Sequence, residues 1–232
     1  MSHTHIAQHI AKVRKQVEQA CIKFGRHPSE VNILAVSKKQ PVDALRQAIT
    51  LGQRAFGENY LQEALEKQAA LAQTANLEWH FIGPLQSNKT RNVAEAFDWV
   101  HSLDRLKLAQ RLNDQRPADK PPLQVLIQVN VSQEASKSGV TPEALPDLAA
   151  AVQALPRLQW RGLMCLPAPS SDPTQQRAAF AQLAALQREL QQRWPDARLD
   201  TLSMGMSGDL EAAIAEGSTL VRIGTAIFGA RD

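Results

Sequence analysis

The chain has 232 residues, 44% hydrophobic and 21% charged, with 26 Lys and Arg against 23 Asp and Glu for a net charge of +3. This composition excludes a disordered, collagenous or coiled-coil chain, is weak evidence for any polyanionic partner, and suits one domain over residues 1–232 with a full core. No apolar run reaches the roughly 18 residues of a membrane span, and Lys12, Arg14, Lys15 and Glu18 stand where a secretory leader would be apolar, so a cytoplasmic protein contacting neither membrane nor nucleic acid is expected.

The first predicted element is a helix over 6–24, with Ile6, Ile10, Val13 and Val17 on one face. Its Cys21 and the distant Cys165 fit a reducing compartment without a disulfide framework or a zinc ribbon. A buried strand follows at 31–36 (VNILAV), then a helix at 42–51, a strand at 54–56 and a helix at 61–72. Strands at 79–82 and 99–102 enclose a helix at 87–96, and a helix at 105–113 leads to a Pro-containing loop at 116–122. The pattern continues with strand 124–130, helix 142–155, strand 161–166, loop 167–173, helix 175–194, strand 200–203, helix 210–216 and strand 220–223. Alternating strands and helices imply parallel pairing with right-handed crossovers. An open doubly wound sheet shares that alternation. Eight units in this length match a closed (β/α)8 TIM barrel of the α/β class with an extra N-terminal helix.

A barrel of this kind carries its site at the C-terminal ends of its strands. Polar residues cluster there: Ser37–Lys38–Lys39, Gly57–Glu58–Asn59–Tyr60, Gly205–Met206–Ser207 and Gly224–Thr225. Leu34, Val36 and Lys38 share one strand parity. If the first two face the barrel interior, Lys38 crowns its mouth. Partial desolvation there lowers an amine's pKa and makes it nucleophilic towards an aldehyde; the alternative is a solvated loop lysine. Gly205, Ser207, Gly224 and Thr225 follow the seventh and eighth strands, where barrels commonly bind phosphate. Ser207 also reads as the N-cap of the helix at 210–216, and ordinary turns would explain the same glycines. Arg222 lies within the last strand, where a charge needs an acceptor, either a ligand or a buried carboxylate. A reactive lysine, a phosphate cradle and an inward arginine together suit pyridoxal 5′-phosphate (PLP).

The stretches ILAVSK (33–38), FGENYLQE (56–63), EWHFIGPLQSNK (78–89), NVSQEASKSG (130–139), RGLM (161–164), LSMGMSGDLEAAI (202–214) and VRIGTAIFGAR (221–231) resemble the pyridoxal phosphate homeostasis proteins over essentially the whole chain. That family is similar to the barrel domain of alanine racemase without its second, β-rich domain. The resemblance implies that Lys38 holds the cofactor aldehyde as a Schiff base and that Ser207, Gly224 and Thr225 hold its phosphate. It further implies that Arg222 faces the ring nitrogen and that Asn59 and Met206 lie close to the ring. Gly208 departs from the acidic residue many relatives carry there, which is expected to loosen the loop.

A guanidinium stays protonated and donates to the pyridine nitrogen, leaving the ring a poor electron sink. Transaminase chemistry is thereby disfavoured and racemisation is not. A racemase needs a second acid/base opposite the lysine. Tyr60 has no evident reason to face the cofactor, and His80 either reaches the mouth from the third strand or bonds a backbone carbonyl. Residues 229–232 leave no room for a lid domain. The first expectation is therefore a monomeric carrier that protects PLP or delivers it to PLP-dependent apoenzymes. A slow, broad-specificity amino-acid racemase is the alternative, and an aldolase-like barrel using Lys38 is a third reading. Lys137 is a candidate second amine for cofactor transfer. His3, His5 and His9 could chelate a metal, although an ordinary frayed helix explains them better.

Overall fold

The computed structural model describes residues 3–132, 134–135 and 138–230. The strands are β1 (Asn32–Val36), β2 (Ala55–Glu58), β3 (Glu78–Phe81), β4 (Trp99–Leu103), β5 (Leu123–Gln128), β6 (Leu158–Met164), β7 (Thr201–Ser203) and β8 (Leu220–Ile223). They pair in parallel in chain order, and β8 closes onto β1, so the sheet is a barrel and not the open alternative. The outer ring comprises α2 (Val42–Thr50), α3 (Leu61–Ala70), α4 (Thr90–Ala96), α5 (Leu106–Gln115), α6 (Leu145–Gln153), α7 (Pro173–Arg193), α8 (Leu210–Ala215) and the short α9 (Thr225–Phe228). The extra N-terminal helix is α1 (His3–Lys23). Its Ile6, Ile10, Val13 and Val17 stripe is buried, and the helix packs on α2, α8 and α9. Among the described residues no helix is long and apolar enough to cross a membrane.

Strand parity divides the apolar residues into two shells. Ala35, Phe56, Phe81, Val100 and Val125 belong to the large cluster between barrel and helices. Leu34, Val36, Ile82 and Leu220 pack together inside the barrel, as do Trp99, Leu126 and Met164. The inward parity expected for Leu34 and Val36 therefore holds. Gly57 belongs to the inner set too, because a Cβ there would stand 3.0 Å from Leu34 Cδ2 and 3.1 Å from Ile82 Cδ1.

Several boundaries move for identifiable reasons. β6 starts at Leu158, ahead of the expected 161, because its pairing with β5 shifts register between Val125 and Leu126. Gly162 makes that bulge possible. Its φ is +141°, and a Cβ would sit 1.9 Å from the Thr201 carbonyl oxygen. The helix at 142–155 begins only at Leu145. The loop at 116–122 is pinned by Arg116, which is buried and donates to the carbonyls of Ala94 and Phe97 (both 2.7 Å) and Pro121 (2.9 Å).

Candidate functional site

Register places the candidate residues on one rim. Ala35 lies opposite Ile223 on β8, and Val36 lies opposite Gly57 on β2. The Ser37 amide donates to the Gly57 carbonyl (3.0 Å), carrying the β1–β2 ladder one step past the strand. Lys38 thus leaves β1 between Asn59 on one side and Gly224–Thr225 on the other. On the far side of β8, the Arg222 amide donates to the Gly205 carbonyl (2.9 Å), which sets the 205–207 loop beside Gly224. Lys38 and Asn59 are half-buried, whereas Met206, Ser207 and Thr225 are exposed. Asn59 Oδ1 is buried without a partner. Gly83 fixes Asn59 from behind: a Cβ there would stand 2.6 Å from the Asn59 carbonyl oxygen.

Behind the lysine lies a buried polar lock. Lys67 Nζ donates to the Ser37 carbonyl (2.6 Å), Glu58 Oε1 (2.8 Å) and Glu63 Oε1 (2.6 Å). Ser37 Oγ donates to the same Glu58 oxygen (2.6 Å), and the Lys39 amide donates to Glu63. Burial pushes the Glu58 carboxyl up, and the bonds from Lys67 and Ser37 oppose the shift. The lock holds the turn after β1, in which Lys39 takes a φ of +60°. Motif reading missed these residues. The available signal was a lysine on the apolar stripe of α3, where Lys67 stands between buried Ala64 and Leu71.

Arg222 is buried and points along the interior to the ends of the neighbouring strands. It donates from Nη1 to Ser203 Oγ (2.6 Å) and from Nη2 to the Cys165 carbonyl (2.9 Å). Both acceptors are neutral, and Asp209 acts on the guanidinium only through space. Among the described residues neither an Asp nor a Glu bonds it, contrary to the salt-bridge alternative. Burial drives the Cys165 thiol up to about 12, which makes it inert.

Three expectations change. Asp209, not Ser207, occupies the N-cap position of α8, without a side-chain capping bond; its Oδ1 accepts the Met206 amide (2.7 Å), so Ser207 and Gly208 form the exposed tip of a turn. His80 neither reaches the mouth nor bonds a backbone carbonyl. It is buried inside the barrel, with Nδ1 2.8 Å from His101 Nε2 and Nε2 2.7 Å from Glu78 Oε1. His9 bonds the Ile227 carbonyl through Nδ1 (3.1 Å), tying α1 to α9, while the His3 side chain and Lys137 lie outside the described residues.

Residues 8–232 match the family model described as the alanine racemase N-terminal domain. The pyridoxal phosphate homeostasis protein of Pseudomonas aeruginosa is 61% identical over 227 residues, covering 98% of this chain and 96% of that protein. Its counterpart in Escherichia coli K12 is 56% identical over 229 residues, covering 98% and 97%. The structure of PipY from Synechococcus elongatus PCC7942 with PLP bound superposes with a TM-score of 0.86 at 39% identity, covering 97% of this chain and 100% of that one. Alanine racemase from Corynebacterium glutamicum shares the fold at TM-score 0.71 and 17% identity; the match covers 98% of this chain and 62% of that one.

Proposed function

This chain belongs to the pyridoxal phosphate homeostasis protein family, and from that premise we propose that Lys38 holds PLP as a Schiff base on the barrel rim. It binds PLP and acts in PLP homeostasis. When bound, the group supplies an aldehyde reactive towards free amines and a pyridine ring able to delocalise charge. The residues present fit it. Among the described residues Arg222 is a buried cation bonded to neutral acceptors, and Asn59 Oδ1 is a buried acceptor without a donor. Asn59 stands two residues past Gly57, the partner of Val36, and Arg222 lies opposite Leu34, further down the strand that leads to Lys38.

The roles follow from chemistry. Lys38 Nζ would condense with the aldehyde carbon, whose oxygen would leave as water. Ser207, Gly224 and Thr225 hold the phosphate by hydroxyl and backbone N–H groups, and Asn59 and Met206 flank the ring. Arg222 donates to the ring nitrogen and, as a permanent cation, keeps a proton off it. That suits holding and release better than carbanion chemistry. His80, the candidate second acid/base, is bonded within the interior, which supports the carrier reading over a racemase. We read residues 1–232 as one PLP-binding domain, a cytoplasmic monomer that passes its cofactor to apoenzymes. Exposed Tyr60, Leu106, Leu166 and Met206 all follow strands onto the rim that carries Lys38, which supports contact of that rim with a recipient.

The observation that carries the reading is the buried Arg222, opposite Leu34 on the inward parity that Lys38 shares, whose bonds among the described residues go to neutral acceptors. The test is a spectrum of the protein with PLP. A band near ~420 nm, lost on borohydride treatment and absent in Lys38→Ala, is expected of the Schiff base. A variant that keeps the same band would mean that another amine carries the cofactor. Incubation with L-alanine and L-serine in deuterium oxide separates the alternative, because steady Cα deuteration with inversion would reject a carrier.

A further inference from the structure

A polar file runs through the barrel interior, between the two apolar clusters that fill the rest of it. It starts at Glu78, the first residue of β3, and ends at Arg222 beneath the rim. Glu78 Oε1 lies 2.7 Å from His80 Nε2, His80 Nδ1 2.8 Å from His101 Nε2, and His101 Nδ1 2.9 Å from Ser203 Oγ. Arg222 Nη1 completes the file at 2.6 Å from Ser203 Oγ.

Its two ends, with both imidazoles neutral, fix every proton between them. Arg222 can only donate, so Ser203 Oγ accepts from it, and a neutral His101 that donates from Nε2 takes the single Ser203 proton at Nδ1. His101 then carries its proton on Nε2 and donates to His80 Nδ1. His80 in turn carries its proton on Nε2 and donates to Glu78, which as a carboxylate can only accept. Both imidazoles are neutral in this arrangement, and no bond in the file lacks its donor or its acceptor. For His101 the surroundings agree: burial foremost, then His80 and Arg222, holds that imidazole well below its ordinary range, and the bond from His80 holds the Glu78 carboxyl low. His80 is stacked on Trp99 (centroids 5.2 Å apart, planes at 7°), and Arg161 covers the opposite end of the file, 4.8 Å from the Trp99 ring. Glu78 opens into a depression of about 740 Å³ on the face of the barrel away from Lys38.

We propose that Glu78, His80, His101 and Ser203 form a one-way hydrogen-bond relay that fixes the Arg222 guanidinium beneath the cofactor ring and couples it to a carboxylate at the opposite end of the barrel. They are positioning residues, and the role assigned to them rests on the proposed seating of PLP against Arg222. Each bond polarises the next, so the far carboxylate strengthens Ser203 as an acceptor and offsets part of the buried charge. Cutting the file anywhere loosens Arg222 at the ring.

Two measurements test this. Nitrogen NMR of the imidazoles in the cofactor-free protein should show His80 and His101 neutral with the proton on Nε2 at pH 7. A protonated ring, or a proton on Nδ1, overturns the relay. A double-mutant cycle then reads PLP affinity in Glu78→Ala, Ser203→Ala and the double variant, each first shown to unfold cooperatively in urea. Each single change should weaken PLP binding by about 3–10-fold, within the usual range of coupling through shared networks. The double variant should be no weaker than the worse single one, because Glu78 has nothing to act through once Ser203 is gone. Additive losses, or an unchanged affinity in either single variant, overturn the relay. If the wild-type chain forms no Lys38-dependent band with PLP, the proposed function falls and the relay's role falls with it. With that band present and the losses additive, only the relay is lost.

Discussion

Replacing Lys67 by methionine tests the lock behind Lys38. The Lys67 side chain is 4% exposed and that of Glu58 0%, at 2.8 Å, and Glu58 Oε2 already has no partner. Methionine fills much of the lysine volume, so packing changes little and the principal effect is an uncompensated buried carboxylate. Breaking a buried pair in this way costs about 3–5 kcal/mol, a large part of the roughly 5–15 kcal/mol that holds a domain folded. The pH dependence identifies the cause. Burial already raises Glu58, and removing Lys67 takes away its largest opposing influence, so the native pKa climbs further. Between the ordinary glutamate value of about 4.3 and that raised value, the native state binds more protons than the unfolded chain. Stability therefore falls as pH rises through this window, by up to about 1.4 kcal/mol per pH unit. Urea unfolding followed by circular dichroism at pH 5, 6, 7 and 8 should show the variant closest to wild type at the acid end. A loss under about 1 kcal/mol at pH 7, or a gap that does not narrow towards pH 5, would refute the argument that an unpaired Glu58 carboxylate is responsible.

Gly162→Ala should be among the most damaging single changes, above about 4 kcal/mol, because the added carbon meets backbone at 1.9 Å with φ at +141°. An unchanged melting temperature would contradict the close approach of β6 to β7. Lys38→Ala should leave stability within about 1 kcal/mol, since the side chain sits at a strand end outside the core; a larger loss in urea would give it a structural role as well. His101 is held well below its ordinary pKa, so the unfolded chain binds the extra proton and stability falls as pH drops through about 6.5. The His101→Gln variant should lack that slope between pH 7 and 5, and equal slopes in the two proteins would show that His101 protonates without penalty. Gly83→Ala would press on the Asn59 carbonyl at 2.6 Å, and PLP affinity should drop more than stability does; a shift of the melting temperature with affinity intact would place Asn59 away from the ring.

Local pattern was enough for the alternating strands and helices, while the pairing of β8 with β1 decided between a barrel and an open sheet. Each strand core alternates between an inner and an outer shell, and Leu34 and Val36 could be placed on one shared face by parity, because a strand's period of two does not depend on what surrounds it. The stripe on α1 was equally plain, since its four residues face one way whichever neighbours cover them. The rim residues were legible because the fold places its site at strand ends and glycines, hydroxyls and a lysine accumulate there.

What tertiary structure alone decided is partnership across the chain. His80 and His101 are 21 residues apart, and His101 and Ser203 are 102 apart, so no spacing rule joins them. Ser37, Glu58 and Lys67 meet only because β1, β2 and α3 are adjacent in the closed barrel. The N-cap position of α8 fell to Asp209 and not to Ser207, where the turn from Met206 folds back on that carboxylate. Periodicity is a property of each segment, whereas a buried polar group finds its acceptor wherever barrel closure brings one, and only the assembled sheet specifies where that is.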